Sequence, residues 1–391
     1  MFKTAFQVAA AGILTLSGLS STPMHGQSFK VLYAFKGGND GNGPQSDLIR
    51  DEKGTLYGTT SAGGKFSQGT VFQLDGNGKE KVLYAFPGFV YGAYPYGKLV
   101  RDEAGNLYGT TLSGGGQFAQ DYGTVFRLET SGKITNLIVF TGLNGINPEA
   151  GLIQDGVGNF YGTTNEGGPN AEGTIFKLTK AGAEKVVYGF KLGQDGGLPS
   201  CVLVRDESGN LYGTTGLGGA VGVGTVFKVD KSGNETILYS FLGGTEGEYP
   251  YAGLIHDRDG NLYGTTVGSG GFRNPPYYGT VFKLDPTGTQ TVLHSFAGGN
   301  DGAFPYGALV RDEQGNLYGT TNQGGSFNQG TVFMLDPNGN LTTLHDFTGG
   351  SDGSNPVSGL LLHENILYGT AGGGAHNSGT VFRITLAGKG D

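Results

Sequence analysis

The chain has 391 residues, and 78 of them are glycine, about one in five against a usual share near 7%, which excludes a mostly helical protein. With 33 acidic against 25 basic residues and a formal net charge of −8, it has no Lys/Arg block long enough to neutralise a row of phosphates, so no nucleic acid partner is expected. The 20 Tyr and 24 Phe are too many for a solvated tail, and the lone cysteine, Cys201, excludes an intrachain disulfide or a cysteine-based zinc site; an all-β, turn-rich fold closed by strand pairing is expected.

Residues 1–26 read differently from the remainder. Lys3 forms a short positive region, and the apolar run AFQVAAAGILTLSGL at 5–19 ends in small residues, the pattern of a secretory signal peptide. That run is shorter than the roughly 20 apolar residues that cross a membrane, and Gln7 interrupts it. The expected organisation is therefore a signal peptide at 1–26, cleaved after Ser20 or near Gly26, and a mature domain at 27–391 without a stable membrane span, secreted or periplasmic.

From Phe29 onward the chain repeats itself. A run such as VLYAF ends in Phe35, and its counterparts end in Phe86, Phe140, Phe190, Phe241, Phe296 and Phe347. The tetrapeptide (L/F)-Y-G-T follows, with its tyrosine at Tyr57, Tyr108, Tyr161, Tyr212, Tyr263, Tyr318 and Tyr368, at spacings of 51, 53, 51, 51, 55 and 50. A third marker, G-T-(V/I)-F, also occurs seven times. Each unit holds four short β-type runs, which we label a to d; in the sixth they are GALVRD (307–312), NLYGTT (316–321), GTVFMLD (330–336) and LTTLHDF (341–347). The a–b and c–d links, such as Asp312 to Asn316 and Asp336 to Gly339, are short glycine turns that suit antiparallel hairpins. Seven four-stranded units describe a seven-bladed β-propeller. Adjacent apolar pairs such as Leu309-Val310 and Val332-Phe333 fit blades covered on both faces.

The chain begins with a d-type run and ends with a c-type run at Thr380 to Ile384. Residues 30–35 are therefore expected to pair with 380–384 and close the ring, which leaves no free sheet edge at the seam. An open β-solenoid is the alternative, but it needs no two partial units that sum to one.

The pattern D-x-x-G-N-L-Y-G-T-T-x-x-G-G, followed by G-T-V-F-x-L, resembles the GloVer tandem repeat (Gloeobacter/Verrucomicrobium type) over about residues 30–384. The resemblance implies a secreted or surface-anchored bacterial protein and supplies no catalytic residues. Members often end in an anchor segment; here the end is Ala387-Gly388-Lys389-Gly390-Asp391, so free secretion or periplasmic residence is expected. The seventh unit departs from the pattern, with His363-Glu364-Asn365-Ile366 at its a–b turn and Ala371 in place of the second Thr.

The d–a and b–c loops emerge on one face of such a ring, and that face holds every tyrosine outside the strands. Candidate ligand-binding residues are Tyr91 and Tyr96 on blade 2 and Tyr249, Tyr251, Tyr277, Tyr278, Phe304 and Tyr306 on blades 5 and 6. Tyr96, Tyr251 and Tyr306 each follow a proline just before strand a, so they should point at the mouth of the central channel. Flat amphipathic rings beside carboxylates and amides suit an extracellular glycan, although the chain has no Trp. The competing reading is that these rings cap the apolar ends of the blades. Asp40, Asp195, Asp301 and Asp352 recur in G-x-D-G loops, with Glu246 at the matching place. A carboxylate ring at the channel mouth would be a candidate Ca²⁺ site, whereas Asp before Gly also simply turns the chain; no other cofactor is expected. Residues that break the repeat are the catalytic candidates: Glu246, Glu248, Arg273 and Tyr277 with Tyr278 around blade 5, and Glu166 and Glu172 in blade 3. Paired carboxylates serve glycoside hydrolysis, and a Tyr/Arg pair serves elimination at a uronic acid. A monomeric carbohydrate-binding module is thus the first expectation, a polysaccharide lyase or glycoside hydrolase the second, and a protein-interaction scaffold the third. Cys201 stands where other units have small residues and reads as packing.

Overall fold

In the computed structural model, which describes residues 27–116, 121–268 and 277–387, the (L/F)-Y-G-T-T runs form the second strand of each unit, Leu56–Thr60 in the first. The glycine in that run is demanded by packing. A Cβ on Gly58 would stand 2.8 Å from the tip of Phe72 and 2.9 Å from Leu48, so its bareness makes the hollow that receives the phenylalanine of strand c. Gly319 does the same for Phe333. The two threonines that follow are buried and work in opposite directions. In blades 1 to 6 the second one hydrogen-bonds the first threonine of strand c, as Thr60 does with Thr70 at 2.8 Å. Ala371 breaks this pair in blade 7, and Thr380 donates instead to the carbonyl of Asp352.

Seven antiparallel sheets result, each ordered a-b-c-d. The hairpin aspartates hold strands a and b together: Asp206 accepts from the Asn210 backbone and side chain at 2.8 and 2.7 Å and from the Tyr212 hydroxyl at 3.0 Å. Burial pushes the Asp206 pKa up, but these bonds outweigh it and hold the carboxyl below its ordinary value.

The core lies between blades. Phe35, Phe86 and their five counterparts at the ends of the d strands are buried, and each packs edge-on against the strand-c phenylalanine of the next blade. The N–H of each also donates to the glycine carbonyl that precedes its own blade's strand c, as Phe86 does to Gly69 at 2.9 Å. The strand Ser28–Ala34 completes blade 7, pairing Phe29 with Ile384, Lys30 with Arg383 and Ala34 with Thr380. The ring is therefore closed, and the open solenoid is excluded. A register shift between Val31 and Tyr33 matches the bulge that every other c–d pair shows.

Strand a is much shorter than the six residues that the sequence suggests: the ladder covers only Val310–Arg311 in blade 6. Upstream of it the chain packs against the neighbouring blade rather than pairing. A Cβ on Gly97 would meet the Ala150 carbonyl oxygen at 2.6 Å, so small residues are required where these segments crowd the axis. Cys201 occupies such a place, fully buried, with its thiol pushed up by burial. Among the described residues, no helix is long and apolar enough to cross a membrane.

Candidate functional site

Every d–a loop ends in the same device. Gly43, Tyr94, Asn147, Leu198, Tyr249, Phe304 and Asn355 all have a left-handed backbone, with φ from 47° to 67°, and each precedes a proline. The pair fixes the direction in which the chain enters the axis. The next residue, in blade order Gln45, Tyr96, Glu149, Ser200, Tyr251, Tyr306 and Val357, lines a cavity of about 430 Å³ at the centre of the ring. That volume lies in the range of small-molecule sites, roughly 300–1,000 Å³. Two residues further on, Asp47, Lys98 and Val202 join the wall, with glycine or alanine in the other four blades.

The wall is locked from behind by the first threonine of strand b. Thr110 donates to the Ala150 carbonyl at 2.9 Å, Thr163 to Cys201 at 3.1 Å, Thr214 to Ala252 at 3.0 Å and Thr320 to Ser358 at 3.0 Å, each bond crossing to the next blade. With Thr59 to Pro95 and Thr370 to Ser46 these bonds tie six of the seven wall segments to the preceding blade; the segment of Tyr306 is the exception, where the buried Thr265 hydroxyl makes no such bond.

Their chemistry is uneven around the circle. Tyr251 and Tyr306, on adjacent blades, are 36% and 40% exposed and form an aromatic arc. The wall also carries polar groups. Asp47 accepts the Gly359 N–H at 2.7 Å, and the Asn165 amide donates to the Ser200 hydroxyl. Burial raises the pKa of Glu149; a hydrogen bond from Ser200 opposes the rise and the charge of Glu166 adds to it. Tyr251 is likewise raised, chiefly by burial, with Tyr306, Tyr249 and Glu149 contributing.

Of the eight candidate ligand-binding aromatics, the structure brings three together: Tyr96, Tyr251 and Tyr306, the three that follow a proline. Tyr249 stacks beside Tyr251 at 6.4 Å and packs against the apolar cluster that joins blades 4 and 5. Tyr278 and Phe304 contact each other at 5.8 Å, with Tyr278 against the cluster of blades 5 and 6, so they cap the blade ends. The hydroxyl of Tyr277 lies by Gly244 in the outer loop, and Tyr91 is exposed on blade 2.

The carboxylates do not form a ring at the channel mouth; of the two readings of the G-x-D-G loops the placement is that of the turn, since Asp40, Asp195, Asp301 and Asp352 each accept a backbone N–H four residues earlier. Each is turned outward to the d strand seven residues before it. Asp40 accepts from Tyr33 at 3.0 Å, Asp195 from Tyr188 at 2.6 Å and Glu246 from Tyr239 at 2.8 Å; Asp301 and Asp352 meet His294 and His345 at 3.3 and 3.1 Å. The Tyr239 hydroxyl is pushed up to about 12, first by burial and then by Glu246. Among the described residues, no three His, Cys, Asp or Glu side chains converge as a metal site. Glu248 is fully buried beneath the loop, and Arg273 lies outside the described residues. Glu149, Ser200, Gln45, Asp47 and Lys98 were not singled out from the sequence. The signal was present, since Pro148-Glu149 repeats the Pro-Tyr placement.

The extracellular domain of BT4673 from B. thetaiotaomicron, a protein assigned to the hybrid two-component systems, superposes with a TM-score of 0.59 at 12% identity, covering 91% of this chain and 39% of that one. The chain thus spans about two fifths of that domain. A Bacteroides uniformis protein assigned as a 6-phosphogluconolactonase gives 0.53 at 16% identity, covering 81% and 88%. At such identities the likeness is one of fold. No curated protein matches in sequence. The repeat itself is matched over residues 19–159, 117–310 and 203–390, nearly the whole chain, and the protein therefore belongs to the Gloeobacter/Verrucomicrobia repeat family.

Proposed function

We propose that this protein is an exported binding module that holds a carbohydrate at the mouth of its central channel. The observation that carries the proposal is the convergence of Tyr96, Tyr251 and Tyr306 with Gln45, Glu149 and Ser200 on one cavity of about 430 Å³. Such a wall offers ring faces for stacking beside hydroxyl, amide and carboxyl groups for hydrogen bonding, as a sugar requires. The signal-like residues 1–26 support export, as does the extracellular setting of the BT4673 domain. A glycan panel tests the reading, followed by titration of the best binder into Tyr251→Ala/Tyr306→Ala. The expected result is at least a tenfold loss of affinity with an unchanged melting temperature; no binding to any glycan overturns it.

A second reading is a polysaccharide-active enzyme with Glu149 as proton donor. Its support is the burial of that carboxyl together with the charge of Glu166, which both favour the protonated form. Release of reducing ends or of unsaturated uronate absorbance, abolished in Glu149→Gln, would establish it; binding without turnover excludes it.

A further inference from the structure

The channel wall contains one cation among its described residues, Lys98, and it is placed unusually. Two carboxylates line the same cavity, yet Lys98 enters no ion pair with either. Asp47 is occupied elsewhere: it accepts the N–H of Gly359, and both of its oxygens lie 3.1 to 3.2 Å from where a Gly359 Cβ would stand. Glu149 is turned toward Ser200, whose hydroxyl donates to it. Lys98 is held at its root, because a Cβ on Gly151 would stand 2.7 Å from the Lys98 Cβ and backbone, so the stem is wedged between blades 2 and 3. In the other blades the same position carries Asp, Val, Gly or Ala, none of which brings a positive charge to the axis. The remaining polar wall offers further donors: three tyrosine hydroxyls and the Gln45 amide.

Resting on the carbohydrate reading above, we propose that the sugar held in this channel carries an anionic substituent, a carboxylate or a sulfate, which Lys98 receives while the tyrosine arc packs against the ring. A lysine ammonium acts as a point charge toward such a group and gains strength in a cavity partly closed to water. A neutral sugar would leave that charge uncompensated at the axis.

The experiment is calorimetric titration of the whole protein at pH 7 and fixed ionic strength with a trigalacturonate, a sulfated galactan oligosaccharide and a neutral galactan trisaccharide. It is repeated on Lys98→Met and on Lys98→Gln, with melting temperatures as the folding control. At least one anionic probe is expected to bind tenfold or more tightly than the neutral one, and either substitution should remove most of that preference, read as the ratio of anionic to neutral affinity. The two anionic arms separate carboxylate from sulfate. Equal binding of anionic and neutral probes, or a preference that survives both substitutions, overturns the inference; if neutral binding is then lost in Tyr251→Ala/Tyr306→Ala, the carbohydrate reading stands alone. Failure of all three probes overturns the inference, and failure of a full glycan panel overturns the carbohydrate reading with it.

Discussion

At the seven blade interfaces a phenylalanine of strand d meets a phenylalanine of strand c, always edge-on, with ring centres 5.1 to 5.4 Å apart. At the channel the residue after the loop proline changes at nearly every step, from Gln45 through Tyr96, Glu149, Ser200, Tyr251 and Tyr306 to Val357, although the backbone before it is the same seven times. Packing between blades leaves little choice of side chain, because the tip of each strand-c ring fills a hollow above a glycine. The channel frame is held by backbone bonds and threonines instead, so its side chains are released from folding and free to serve recognition.

The sharpest way to break this contrast is to attack the interface side. Removing residues 28–34 leaves blade 7 with three strands and uncovers the buried Phe382, and the ring is expected to lose its cooperative unfolding transition altogether, as followed by circular dichroism during heating. A single interface ring costs less. Phe227→Ala should destabilise by about 3–5 kcal/mol in urea unfolding, the usual cost of emptying a packed aromatic site. By contrast Tyr306→Ala, 40% exposed at the channel, should shift stability by no more than about 1 kcal/mol. A large destabilisation there would show that the channel wall is also part of the core.

The same division decides what the sequence discloses. The repeats, the hairpin aspartates, the packing role of Cys201 and the seam between residues 30–35 and 380–384 are legible because each depends on neighbours at a fixed sequence distance or on a period. The site is only half legible. Tyr96, Tyr251 and Tyr306 could be placed by their prolines, but Glu149 and Lys98 differ from them in residue type, and a search for aromatics passes over them. The placement of Asp40 and Asp195 stayed open for a different reason. Their partners, Tyr33 and Tyr188, lie seven residues earlier across a loop that folds back, and nothing in a G-x-D-G motif says whether its carboxylate faces the axis or the rim. Glu248 stands at a place that Ala93 and Ala303 also fill, buried where the loop pairs with the b–c turn, so a polar residue in a loop was no guide to exposure.

The outer rim supplies a finer test, because three blades open strand d with a glutamate, Glu80, Glu184 and Glu235, and in two of them it faces an aspartate, whereas Glu184 meets Asn144. Glu80 opens strand d of blade 1 against Asp40, and Glu235 does so in blade 4 against Asp195. Burial comes first and the neighbouring carboxylate second in raising Glu80 from 4.5 to about 8 and Glu235 to about 7. Since the folded values exceed those of the unfolded chain, the fold retains the proton more strongly than the unfolded state does. The stability this confers is complete below about pH 4.5 and declines as pH rises through 7 and 8. The hairpin carboxylates of Asp102, Asp206 and Asp257 act oppositely, since their lowered values favour the fold above the ordinary carboxylate pKa and that gain fades in stronger acid. Stability should therefore peak in mild acid and sag toward pH 9. Glu80→Gln should match the parent protein near pH 5 and melt higher than it near pH 9. A parent profile that is flat between pH 5 and 9, or an E80Q profile that sags equally, would mean that the Glu80–Asp40 carboxyl pair is separated by solvent.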